Sequence, residues 1–150
     1  MNQKFHLAQL NIASAKADSE SETMRGFYDR IDEIHDLAEK APGYIWRYDD
    51  EEGDDIAERV FGNPLMLVNL TLWDDIDSLR HFVYKTTHKE LIQGRSNWFN
   101  KMPEMHQVIW WVPEGHIPKV QEAKDKLELL REHGPTVDAF TFAKPFDPIL

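Results

Sequence analysis

A histidine and an arginine interrupt an otherwise apolar helical stripe. Between Thr87 and Met102 the positions His88, Leu91, Arg95, Trp98 and Met102 recur at three- and four-residue spacing, so one helix face would carry all five. Burying an unsatisfied polar group costs roughly 2–7 kcal/mol, so a core stripe normally refuses both. These two side chains are therefore either satisfied by partners or directed at a cavity. In a cavity His88 suits the work of a base or donor, and Arg95 can stabilise an enolate-like oxygen. In a core, His88 would bond a backbone carbonyl near its helix start, and Arg95 would pair with a carboxylate or stack on a ring.

Asn69 completes the catalytic set as a donor to a substrate oxygen, or else bonds Gln9 or Asn11 across the sheet. Five tryptophans, Trp46, Trp73, Trp98, Trp110 and Trp111, are many for this length. A buried indole N–H needs a partner, so indoles among amides suit a pocket for a flat, partly polar organic ligand. Trp46, Trp73, Trp98 and Trp111 are expected to line it, with Asn11, Thr71 and Tyr84 adding polar groups. His81 and His88 would hold a metal only if a carboxylate such as Glu90 converged on them, and no metal site is expected. Nucleophile elbows, phosphate-binding glycine loops and dinucleotide fingerprints are missing.

The elements that must position these groups follow from apolar periods that switch between two and about 3.6. Phe5 to Ile12 reads as a strand. Ser19 and Glu22 form a capping box for a helix carrying Met24, Phe27, Ile31, Ile34, Ala38 and Ala41, which Pro42-Gly43 ends. Tyr44 to Tyr48 is a strand, and Asp49 to Asp55 an acidic surface loop. Leu65 to Trp73 is the clearest strand, followed by Asp74 as cap and a stripe of Ile76, Leu79, Phe82 and Val83. The helix breaks near Thr86 and restarts with Thr87 and Glu90 as a second capping box. Met105 to Val112 is a fourth strand. Pro118 opens a last helix carrying Val120, Ala123, Leu127 and Leu130, closed by Gly134-Pro135 ahead of a tail with Phe140, Phe142 and Phe146.

This order predicts a ferredoxin-like α+β fold, one antiparallel sheet with helices on one face, plus an added C-terminal helix and tail. It forms a single domain, with residues 1–112 as core and 113–150 as the appended part. Met66, Val68, Leu70 and Leu72 make a purely apolar side of the third strand. The other side, Leu65, Leu67, Asn69, Thr71 and Trp73, mixes uncharged polar with large apolar residues, as a second sheet or a ligand cavity would select. Two such sheets face to face would form a dimeric α/β barrel, so a homodimer is expected.

Composition bounds the partners. The 150 residues are 41% hydrophobic and 29% charged, as in an ordinary globular domain, and the formal charge is −10. That charge disfavours nucleic-acid backbones and anionic membranes. No apolar run approaches the roughly 18 residues of a membrane span, and the amino-terminal residues lack secretion-signal features, so a cytoplasmic location is expected. Cysteine is absent, which removes disulfides and thiolate chemistry.

Several runs together resemble a known family. They are Phe5-His6-Leu7-Ala8-Gln9-Leu10-Asn11, Pro42-Gly43-Tyr44-Ile45-Trp46-Arg47, Asn69-Leu70-Thr71-Leu72-Trp73, His81-Phe82-Val83-Tyr84, Trp98-Phe99, Trp110 to His116, and His133-Gly134-Pro135-Thr136 with Ala139-Phe140-Thr141-Phe142. Their order resembles the bacterial family called domain of unknown function 3291, over nearly the whole chain. The resemblance implies the dimeric α/β-barrel superfamily, which also holds antibiotic-biosynthesis-type and haem-degrading monooxygenases. Three readings follow: a cofactor-independent, monooxygenase-like enzyme acting on an aromatic or polyketide-like metabolite, a haem-binding variant with His88 as axial ligand, and a non-catalytic metabolite-binding module.

Overall fold

Alternation of apolar residues builds the strands, and amphipathic stripes build the helices that cover them. The computed structural model describes residues 4–18, 20–49, 56–86 and 97–149. The elements run β1 (Phe5–Ser14), α1 (Glu22–Glu39), β2 (Tyr44–Arg47), α2 (Ile56–Phe61), β3 (Met66–Trp73), α3 (Ile76–Thr86), β4 (Gln107–Pro113) and α4 (Val120–His133). The strands form one antiparallel sheet in the order β2-β3-β1-β4, the ferredoxin-like arrangement expected from the sequence.

Local chemistry sets the element ends. Ser21, rather than Ser19, caps α1: its hydroxyl oxygen accepts the Met24 N–H at 3.4 Å and its O–H donates to the Asp18 carbonyl at 2.8 Å. At the entrance to α3 the carboxylate that accepts an N–H is Asp75, from Ser78 at 2.8 Å, rather than Asp74. Gly43 (φ 86°) turns the chain from α1 into β2, and a Cβ there would collide with the Ser78 hydroxyl. Gly134 (φ 72°) ends α4 and donates its N–H to the Leu130 carbonyl at 2.8 Å.

The two sheet faces differ in chemistry, and both carry helices. Ala8, Leu10, Ile12, Leu70, Leu72, Val108, Trp110 and Val112 form a wholly apolar face, packed against Val60 of α2 and Val120, Ala123, Leu127 and Leu130 of α4. Each such side chain fully withdrawn from water contributes roughly 1.5–3 kcal/mol. On the mixed face Leu7, Trp73 and Ile109 pack with Ala38 of α1, Leu79 of α3 and Phe140 of the tail. The tail is held by reciprocal Ile109–Phe140 backbone bonds of 3.0 and 2.9 Å and by the Trp111 indole, which donates to the Phe146 carbonyl at 2.7 Å.

Several expectations are corrected. Helices lie on both faces rather than one, because α4 and the short α2, which the apolar periods do not predict, each bury an apolar stripe. The wholly apolar face is thereby closed within the chain, and the mixed face, expected to meet a second sheet or a ligand, carries α1 and α3. The helix expected to run to Met102 lies partly outside the described residues. Its described end leaves helical structure by Phe99, because Trp98 and Asn100 give their backbone groups to β1 and the residues that follow it: Lys16 N–H donates to the Trp98 carbonyl at 2.8 Å, and Asn100 N–H to the Ser14 carbonyl at 2.9 Å. Asp49 is exposed, and the rest of the acidic loop lies outside the described residues.

Candidate functional site

The mixed face holds its polar residues in rungs across neighbouring strands. Antiparallel register sets Leu7 opposite Trp73, Gln9 opposite Thr71 and Asn11 opposite Asn69, while on the other side of β1 Gln9 meets Ile109 and Asn11 meets Gln107. Strand alternation therefore turns Gln9, Asn11, Asn69, Thr71 and Gln107 to one side.

The inner rung is closed. Thr71 and Gln9 are 5% and 4% exposed. The Thr71 hydroxyl donates to Gln9 Oε1 at 2.9 Å and accepts the Trp73 indole N–H at 2.9 Å. The outer rung is open. Asn69 is exposed, Asn11 and Gln107 are half-buried, and no side-chain hydrogen bond joins these three carboxamides to a partner among the described residues.

Helix α1 forms the wall above this floor. Met24 and Ala38, near its two ends, are buried, whereas Phe27, Ile31 and Ile34 between them are only half-buried. The helix is thus seated at its ends, with its central apolar stripe only half-buried. Beside its Ala38 end Trp73 packs against Tyr44 and Phe82, with ring centroids 5.6 and 5.1 Å away. Toward its other end Phe27 packs against Trp98 at 5.9 Å and Phe99 at 5.0 Å. Gly26 permits this second cluster, since a Cβ there would stand 3.0 Å from the Trp98 ring.

The β2 edge of this face is charged. Arg47 lies opposite Thr71, and its side chain is 17% exposed. Among the described residues its nearest carboxylates are Glu39 and Asp49, each at 3.7 Å, and its buried Nε has no hydrogen-bond partner. Burial, and then the Arg47 charge, hold the His35 imidazole below its ordinary pKa, so it favours the neutral form. Burial raises the Tyr44 phenol above its ordinary value, against the opposing charge of Arg47.

Asn69, Asn11 and Thr71 share the mixed face, with Asn69 opposite Asn11 and Thr71 opposite Gln9, and Trp98 packs on Phe27 of α1. His88 and Arg95 lie outside the described residues. The other residues assigned to ligand lining lie as follows. Trp73 is fully buried with its N–H satisfied, which makes it a core residue. Trp46 packs on the opposite, apolar face, because an irregularity between Tyr44 and Trp46 shifts the register. Tyr84 is 78% exposed on the outer side of α3, and Trp111 is tied to the tail. Gln107, Arg47 and His35 join the site without having been singled out by sequence. For Arg47 the usable signal is an arginine in alternation with apolar strand residues; for Gln107 it is the start of the β4 alternation.

A second depression, of about 310 Å³, lies at the end of β1 beside Ser14, Asn63, Met66 and Arg131. Its polar groups are largely engaged: Ser14 Oγ accepts from Asn63 at 3.1 Å and Asn100 at 3.3 Å, and Arg131 Nε donates to the Met105 carbonyl at 2.8 Å. Among the described residues no three His, Asp or Glu side chains gather as metal ligands, and no helix is long and apolar enough to cross a membrane.

No curated protein matches the chain in sequence. Two solved structures from Nitrosomonas europaea are similar in fold. One, named "Putative antibiotic biosynthesis monooxygenase", is 11% identical, with 78% of this chain and 94% of that chain covered and a TM-score of 0.44. The other, a protein of unknown function, is 12% identical, with 79% and 97% covered and a TM-score of 0.49. Neither likeness carries an inference about chemistry. The model of a domain of unknown function, DUF3291, matches residues 6–149, and the chain belongs to that family.

Proposed function

We propose that this protein binds a flat, partly polar aromatic or polyketide-like metabolite in a groove between α1 and the mixed sheet face. The observation that carries this reading is the contrast between adjacent rungs. Gln9 and Thr71 are buried and bonded to each other, while the Asn11, Asn69 and Gln107 carboxamides beside them have no side-chain hydrogen bond among the described residues, and the central stripe of α1 is only half-buried. Neutral amides can hydrogen-bond carbonyl or hydroxyl oxygens of a ring whose faces rest on Phe27, Ile31 and Ile34.

Turnover is the enzymatic extension of this reading. A substrate methylene activated by neighbouring carbonyls can react with dioxygen without a cofactor: two C–H bonds break, one oxygen atom becomes the new carbonyl, and the other leaves as water. The protein's part is to orient the ring and hold the developing enolate oxygen on amide N–H groups. His88 and Arg95 are proposed as base and anion stabiliser. Were haem bound, the axial ligand implied by the resemblance would be His88, which lies outside the described residues. A homodimer is also proposed, with its contact on helical surfaces because α2 and α4 cover the apolar sheet face; light scattering at micromolar concentration tests it, and a monomer would contradict it.

Quenching of tryptophan fluorescence by 1,8-dihydroxyanthraquinone tests the binding reading. Saturable quenching that is lost in a groove-filling Asn69→Phe variant of unchanged melting temperature supports it. No saturable quenching in the wild type, or quenching unaffected by Asn69→Phe, contradicts it. Oxygen uptake with the corresponding anthrone separates an enzyme from a binding module.

A further inference from the structure

We propose that Arg47 is the anion-binding residue of the groove and that the natural ligand carries an acidic group, a carboxylate or an ionised phenol, on its aromatic framework. This rests on the groove reading above and narrows it to one class of ligand.

Arg47 closes β2, opposite Thr71, on the face that carries Asn69. Its side chain is 17% exposed, yet the carboxylates near it among the described residues, Glu39 and Asp49, lie at 3.7 Å, beyond hydrogen-bonding distance, and are themselves 52% and 82% exposed. Both are well hydrated and neutralise the guanidinium only loosely. The neighbouring Tyr44 phenol, a neutral group, removes no charge. Among the described residues the buried Nε has no hydrogen-bond partner, an arrangement native interiors rarely tolerate. A structural arginine tying β2 to α1 would be expected to engage Glu39 in a bidentate bond of about 2.7–2.9 Å. The loose geometry instead leaves a planar, permanently charged fork at the edge of an aromatic-walled groove.

The electrostatics of the whole chain sharpen the point. With a formal charge of −10, the protein repels an anionic ligand unless a local cation outweighs the mean field. His35, the neighbouring titratable group on α1, is biased toward its neutral form, so it adds no fixed charge and can donate or accept a hydrogen bond beside the guanidinium. Arg47 is thus the fixed cation at this edge among the described residues.

The test compares two dyes of similar shape, 8-anilinonaphthalene-1-sulfonate and the uncharged N-phenyl-1-naphthylamine, by fluorescence titration of the full chain. The expected result is that Arg47→Met weakens the sulfonate by about tenfold or more while the neutral amine changes little, and that Arg47→Lys restores part of the loss. Equal weakening of both dyes would assign Arg47 a structural role and overturn the proposal, as would unchanged sulfonate binding. If neither dye binds the wild type, the groove reading itself falls and takes this inference with it. A measurement independent of the variants' folding is the Arg47 Nε–H resonance of the wild-type protein. It should shift with the sulfonate and ignore the amine; a resonance indifferent to the sulfonate overturns the proposal.

Discussion

The Thr71 hydroxyl donates to Gln9 Oε1 across the β3–β1 pair at 2.9 Å, and both residues are buried. The same oxygen receives the Trp73 indole N–H, so one hydroxyl satisfies two buried groups on the core side of the groove. Thr71→Val keeps the shape and strands both partners, which should destabilise the protein by roughly 1–3 kcal/mol. Thr71→Ser should retain most of that stability. Calorimetric melts of the two variants check this, and equal melting temperatures would show that the hydroxyl contributes nothing.

The floor of the site is legible in the residues of β3, because a period of two forces Asn69, Thr71 and Trp73 to one face whatever the neighbours are. What covers a face is not encoded in the strand itself. Helix α4 follows the last strand and so looks like an appendage, while α2, only six residues long and directly after an acidic run, offers too short a stripe to stand out. Without those two helices, the pattern leaves one sheet face for a second sheet. Trp46 and Trp73 are equally plausible pocket residues by type, and only the irregularity beside Tyr44, which no composition reveals, sends Trp46 to the opposite face. Arg47 is hidden for a related reason: an arginine ending an edge strand is usually solvated, and its burial depends on where α1 lies.

Acid should weaken the fold through His35. Its folded pKa lies below the ordinary histidine value, so the unfolded chain binds the proton more readily. The corresponding stability is present above the ordinary value of 6.5 and is lost as pH falls through the folded value. His35→Gln should therefore flatten the decline in melting temperature between about pH 7.5 and 5 relative to the wild type. An unchanged slope would show that His35 is not the group responsible.

The tail belongs to the core. Phe140 is fully buried, exchanges backbone bonds with Ile109, and is followed by the Phe146 carbonyl that accepts the Trp111 indole N–H. Removing residues after Gly134 uncovers Leu7, Ile109 and Trp111 and should lower the melting temperature markedly, with new binding of apolar dyes at the exposed face. Loss of a buried Phe alone costs about 3–5 kcal/mol. Unchanged stability would show the segment to be passive.

The central claim is that the outer rung of carboxamides is a ligand-binding floor, and side-chain amide resonances report on it directly. Titrating 1,8-dihydroxyanthraquinone into 15N-labelled protein should shift the NH2 signals of Asn11, Asn69 and Gln107 together, along one saturable curve, while the amide of Asn63 beside Ser14 stays still. Shifts confined to Asn63 and Asn100, or none at the three rung residues at saturating ligand, would contradict the account.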